Sequence, residues 1–143
     1  MIRATIDTSA LVPAIRRAGQ AQTALGPILR AWRDQRYEMV LSEHILGEVQ
    51  RTLSSPYFSR FLSPEDQPEA VRTLRMDATI IPITVAVTGI ATHPEDDLIL
   101  ATALSGQVGY LVTLDRQLLR VGEYGGVKIV SPQVFLSILA AEA

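Results

Sequence analysis

The stretch that most constrains this chain runs from Thr92 to Asp115. Pro94 stands at a first helical position, Glu95, Asp96 and Asp97 fill the first turn, and Leu98 to Leu104 is almost wholly apolar. That pattern predicts a buried helix whose acidic end faces outward. After Gly106 and Gly109, Tyr110 to Leu114 reads as a short buried strand with Asp115 just past its end. Asp96 and Asp115 can thus meet at one edge of a sheet, which directs attention to other acids in similar positions.

The remaining chain repeats the same alternation. Ile2 to Ile6 is a strand candidate, with Asp7-Thr8-Ser9 leading at once into an apolar segment. Helices are expected over Ala10 to Arg17 and Gln22 to Gln35, a strand over Glu38 to Leu41, and a helix over Glu43 to Leu53 capped by Ser42. Ser54 to Pro68, with three prolines and several aromatics, reads as an irregular or briefly helical excursion whose rings are packing residues or a partner surface. A helix over Glu69 to Asp77 and a third strand over Thr79 to Ile83 follow. Beyond Asp115 come a short helix over Arg116 to Arg120, a Gly125-Gly126 turn, a strand over Val127 to Val130, and a terminal helix opened by Ser131-Pro132.

Strands alternating with helices predict one α/β domain over residues 1–143, a three-layer α/β/α sandwich around a mostly parallel sheet of about five strands. No phosphate-binding glycine motif follows a strand, so dinucleotide and P-loop readings lose their support. A net charge of −2 gives no global pull toward nucleic acid, so such a partner needs a local basic patch or metal ions. Ten of the twelve arginines lie between Arg3 and Arg75 and form either a phosphate-contacting rim or ordinary solvated helix faces. Without cysteine, thiol catalysis and thiolate zinc sites are excluded. The N-terminal stretch has no signal-peptide pattern and no run is long enough to span a membrane, so a cytoplasmic location without membrane contact is expected.

Open α/β sheets bind ligands outside the carboxyl ends of their strands, where Asp7 and Asp115 both stand and Asp96 begins a helix. At 100° per residue, Glu48 lies at the margin of the apolar arc of its helix, positioned to look into the same cleft. Taken singly, Asp7 reads first as a helix cap or turn residue, and Glu48 equally as a border residue pairing with Arg51 or Thr52. Together they conflict, because two carboxylates about 4 Å apart repel by roughly 4 kcal/mol at an effective dielectric of 20. A hard divalent cation, Mg²⁺ or Mn²⁺, removes that conflict and suits phosphodiester hydrolysis. His44 and His93 read as surface or cap residues.

Four segments together carry a resemblance: Ile6-Asp7-Thr8-Ser9-Ala10-Leu11-Val12, the helix with Glu48, Asp96-Asp97-Leu98-Ile99-Leu100-Ala101, and Val112-Thr113-Leu114-Asp115-Arg116. The chain resembles the PIN-domain ribonucleases over essentially its whole length, most of all the VapC-like toxin components of toxin–antitoxin pairs. The resemblance implies that Asp7, Glu48, Asp96 and Asp115 hold Mg²⁺ or Mn²⁺ and cleave RNA, supported by Thr113 and secondarily by Ser9 and Asp97. It also implies a cognate antitoxin and a homodimer. Many relatives carry Asn at the place of Ser9 and Asp at the place of His93, so the surrounding polar groups differ here. A non-catalytic binding module on the same fold is the alternative. A phosphoacceptor domain fits poorly, because the first strand ends Asp7-Thr8 and Lys128 lies inside the last strand.

Overall fold

The computed structural model describes residues 1–17, 24–60, 63–91 and 93–142. The first residues of the helix expected from Gln22, the side chains of Phe61 and Leu62, and Thr92 lie outside them.

Strand β1 (Arg3–Ile6) and helix α1 (Thr8–Arg16) are followed by α2 (Leu25–Arg33), β2 (Glu38–Leu41), α3 (Glu43–Leu53), a 3-10 turn at Phe58–Arg60, α4 (Asp66–Asp77) and β3 (Thr79–Ile80). The second half runs α5 (Pro94–Ser105), β4 (Tyr110–Val112), α6 (Arg116–Val121), β5 (Glu123–Tyr124), β6 (Val127–Val130) and α7 (Pro132–Ala141). The strands form one sheet in the order β3-β2-β1-β4-β6-β5. All pairings are parallel except β5 with β6.

The mostly parallel α/β sheet is as expected, with six strands among the described residues where about five were expected. The additional strand is the two-residue β5, joined to β6 across Gly125-Gly126, where both glycines have positive φ (58° and 86°) as a tight hairpin turn requires. The third strand is shorter than expected. Pairing stops at Ile80, two residues before Pro82, which has no N–H to continue a ladder.

The central strands are apolar on both faces, as strands covered on both sides must be: Ala4, Ile6, Met39, Val40, Leu41, Leu111 and Val112 are all fully buried. Helix α3 adds Ile45, Leu46, Val49 and Leu53 from one stripe, each worth about 1.5–3 kcal/mol of burial. Its start is fixed by Ser42, whose hydroxyl accepts from Ile45 N and contacts Thr102 Oγ1 of α5 at 2.8 Å. Successive strands run from β1 to β3 in one direction, and the chain then returns to β4 on the other side of β1. This reversal opens a crevice at the carboxyl ends of β1 and β4.

Candidate active site

A cavity of about 380 Å³ lies in that crevice, lined by Asp7, Glu48, Asp96 and Asp115 together with Ser9, Thr52 and Phe58, among others. The four acids come from four separate places: the end of β1, the middle of α3, the first turn of α5, and the loop after β4. A larger concavity, about 620 Å³, lies elsewhere and mixes Trp32 and Tyr37 with Arg33, Glu38 and Asp77. Of its acids, Glu38 is already engaged by Arg3 and Thr79. The smaller, acid-lined space is where the chemistry gathers.

Asp7 is set by β1, which delivers it to the sheet edge, where its N–H donates to Val112 O at 2.8 Å. It precedes α1, yet its carboxylate makes no capping hydrogen bond. Instead Thr113 Oγ1 donates to Asp7 Oδ2 at 2.7 Å and Ser9 Oγ donates to the same oxygen at 2.9 Å. Each hydroxyl has one proton, so both are committed to Asp7, and their 3.3 Å separation is a contact rather than a further bond. As acceptors, Thr113 Oγ1 takes the Asp115 N–H and Ser9 Oγ takes the Leu114 N–H. The β4 loop is thereby fastened to Asp7. Burial raises the proton affinity of Asp7, the two hydroxyls pull it back, and the Asp115 charge raises it again.

Asp115 does cap a helix: its Oδ1 accepts from Gln117 N at 2.8 Å and Leu118 N at 3.3 Å. That fixes the carboxylate against the start of α6 while it lines the cavity. Among the described residues, no side chain bonds Asp96, whose N–H donates to His93 O at 3.0 Å. Its pKa is raised by burial first, then by Asp115 and Asp7, with His93 opposing.

Glu48 does not pair as a border residue with Arg51 or Thr52. The Thr52 hydroxyl bonds the Glu48 backbone carbonyl, while Glu48 Oε1 lies 3.0 Å from His44 Nε2, one turn earlier. Both atoms are buried and lack hydrogen-bond alignment, so the contact is electrostatic. Burial pushes the Glu48 pKa up, Asp7 and Glu95 add to the rise, and His44 and Arg51 oppose it.

Asp97 is not among the residues lining the cavity. One position further round the helix, it is buried and accepts from Gly89, Ile90 and Ala91 N–H at 3.0, 3.2 and 2.7 Å. It ties the segment before α5 to the first turn of that helix. Two neighbours of the acids have roles that the sequence does not signal. Phe58 reads as a packing ring but lines the cavity, and His44 reads as a surface residue but contacts Glu48. The i, i+4 spacing of His44 and Glu48 is the one available signal for the second.

A doubly sided parallel α/β domain with an acidic cavity at its switch point, in place of a glycine-rich nucleotide loop, is the class that fold and site define. The family model for the PIN domain matches residues 3–117, and the chain belongs to that family. No curated protein is matched by sequence. Among solved structures, VapBC2 from Rickettsia felis bound to a DNA fragment from its promoter aligns with a TM-score of 0.63 at 16% identity, covering 91% of this chain and 98% of that one. The sarcin–ricin loop cleaving toxin VapC20 from Mycobacterium tuberculosis aligns at 0.57 and 18% identity, covering 87% and 98%. DNA-bound VapBC from Salmonella typhimurium gives 0.56 and 17%, covering 92% and 99%. At these identities the likeness is one of fold.

Proposed function

We propose that this chain is a Mg²⁺- or Mn²⁺-dependent endoribonuclease and the toxin of a toxin–antitoxin pair. The observation that carries this reading is the convergence of Asp7, Glu48, Asp96 and Asp115 on one cavity. Three of them have proton affinities raised by burial and by one another's charge. Such an arrangement is costly without a counter-charge, and an all-oxygen donor set suits a hard cation. Among the described residues, no three of the acids stand close enough to hold one ion as they are placed. The reading therefore requires that these side chains would move if they were to share an ion.

When bound, the ion supplies Lewis-acid polarisation of the phosphodiester and a more acidic water. Asp7, fixed by the Ser9 and Thr113 hydroxyls, and Asp115, fixed by the α6 N-terminus, are the two acids already held in place and would serve as ligands. Glu48 lines the same cavity and has a pKa raised first by burial, so it would be a candidate to accept a proton there. The VapBC neighbours support an antitoxin as the protein partner, and VapC20, described as a sarcin–ricin loop cleaving toxin, supports RNA as substrate. The homodimer remains an implication of the resemblance alone.

The test is cleavage of labelled RNA with Mn²⁺, with Mg²⁺ and with chelator, by the wild type, Asp7→Asn and Asp96→Asn. Cleavage should require metal and be lost in both variants while their circular dichroism is unchanged. Equal cleavage by all three proteins sinks the reading. The spacing of the acids favours one alternative, a binding module that receives a partner's arginine in the same cavity. Metal-independent binding of a basic peptide, with no cleavage of any RNA, is the result that selects it.

A further inference from the structure

Three of the four acids in the cavity are placed by short means. Asp7 is held by two hydroxyls, Asp115 by the first N–H groups of α6, and Asp96 has a short side chain on the first turn of α5. Glu48 differs. It projects from the middle of α3 on a stem with three rotatable bonds, whose freedom is lost if the carboxylate is to stand in one place.

One group is in position to hold it. His44 lies one turn earlier on the same face of α3, with Nε2 3.0 Å from Glu48 Oε1. The two side chains are only 18% and 21% exposed, and these two atoms are shielded from solvent with no aligned hydrogen bond among the described residues. Oε2 of Glu48 is not in that position. Arg51, three residues further on, does not compete: its guanidinium lies back against Gly47, where Nη1 would stand 3.3 Å from an added Cβ, and it makes no ion pair with Glu48 among the described residues. The helix carrying the pair is itself anchored, by the Ser42 cap at its start and by Glu43, which turns outward to Arg75.

A buried imidazole nitrogen and a buried carboxylate oxygen at this distance, each lacking any other partner, are one ring rotation from a hydrogen bond, and the last torsion of histidine is soft. The Nε2–H tautomer donates with no charge on the ring, so the contact needs no protonation of His44. His44 itself is not among the residues lining the cavity. Whatever it does there, it does through Glu48.

We infer that His44 is a positioning residue for Glu48, engaging Oε1 from outside the cavity and leaving Oε2 turned toward the other acids. The inference rests on the metal-dependent reading above for what the acids bind, and concerns how the most flexible of them is held.

The test compares the full chain as wild type, His44→Gln, His44→Leu, Glu48→Met, the double variant His44→Leu/Glu48→Met, and Asp96→Asn. Thermal melts in chelator first establish that each is folded. Mn²⁺ binding is then read at one temperature from the EPR signal of the free ion, without RNA or cleavage. His44→Leu should weaken Mn²⁺ binding about 10- to 100-fold, as loss of a group that orients a metal-site side chain does. His44→Gln, whose amide N–H reaches the place of Nε2, should stay near the wild type. In the Glu48→Met background, which has no oxygen to engage, His44→Leu should bring no further loss.

Wild-type affinity in His44→Leu overturns the proposal, as does an equal loss in His44→Gln and His44→Leu, or the same loss with and without Glu48. Any of these, alongside Mn²⁺ binding that Asp96→Asn weakens, leaves the metal-dependent reading standing. If the wild type binds no Mn²⁺, that reading fails and the melts in chelator decide the other. A drop in melting temperature from His44→Leu that largely vanishes in the Glu48→Met background supports His44 as the group that holds Glu48; an equal drop in both backgrounds overturns it.

Discussion

Thr113 shows how much one buried hydroxyl can determine. It is fully buried, gives its proton to Asp7 Oδ2 and takes the N–H of Asp115, so it couples two of the acids. Replacing it by valine keeps the shape and removes both bonds, leaving a buried N–H and a carboxylate with less support. Stability should fall by about 1–3 kcal/mol in urea unfolding. The hydroxyl lowers the Asp7 pKa, so its loss lets that pKa rise further, and the acid limb of the cleavage pH profile should move to higher pH. An acid limb that stays in place, or moves down, contradicts this role. That Asp7, Asp115 and Glu48 face one cavity was legible because strand ends and a helical arc are properties of sequence. Asp96 was set before Asp97 by the resemblance, but what Asp97 does instead was not legible. Both are acids in one first turn, and only the fold decides which meets the cavity and which meets the N–H groups of Gly89 to Ala91.

At the scale of elements, α5 is the piece that carries an acid to the site, and Asp97 sets its entry. The segment after β3 pairs with no strand beyond Ile81 N to Leu41 O; it is held instead by side chains of α5. Ser105 Oγ accepts from Thr84 and Val85 N–H near one end, and Asp97 accepts from Gly89, Ile90 and Ala91 near the other. Asp97→Ala strands three backbone donors and should cost about 2–4 kcal/mol, measured by denaturant unfolding. Asp97→Asn, which retains one acceptor, should cost less. A loss below about 0.5 kcal/mol for Asp97→Ala, the range of ordinary surface changes, would show that the segment holds without it. The helices and longer strands were readable from their apolar runs and periods, helped at three helix starts by the capping serines Ser42 and Ser131 and by Pro94 in a first turn. Strand β5 was not, since Glu123-Tyr124 is too short to show alternation and exists only because β6 lies across the Gly-Gly turn.

The whole molecule adds what no segment carries, the order of the strands. Alternating strands and helices imply a parallel sheet, but only the return of the chain to β4 beside β1 brings residues 7 and 115 to one crevice. The result is a domain whose cavity works against its own stability. Asp7, Glu48 and Asp96 have native pKa values above their ordinary ones of 3.8, 4.5 and 3.8, so the native state holds more protons than the unfolded chain over that interval. Their contribution is complete below the ordinary carboxylate range and is lost as pH rises through the raised native values. Glu43, drawn down by Arg75 on the surface, works in the opposite sense, so the effect must be read as a difference between proteins. In chelator, the melting temperature of Asp96→Asn should gain on that of the wild type as pH climbs from below 4 to neutrality. Millimolar Mn²⁺ should reverse the order at neutral pH, because an ion bound only to the native wild type stabilises it by about 2.7 kcal/mol at a hundred times its Kd. A difference that ignores pH would mean that Asp96 does not feel the other acids. One that follows pH but ignores Mn²⁺ would mean that the repulsion is real and is relieved by a protein partner's cation instead of by a metal.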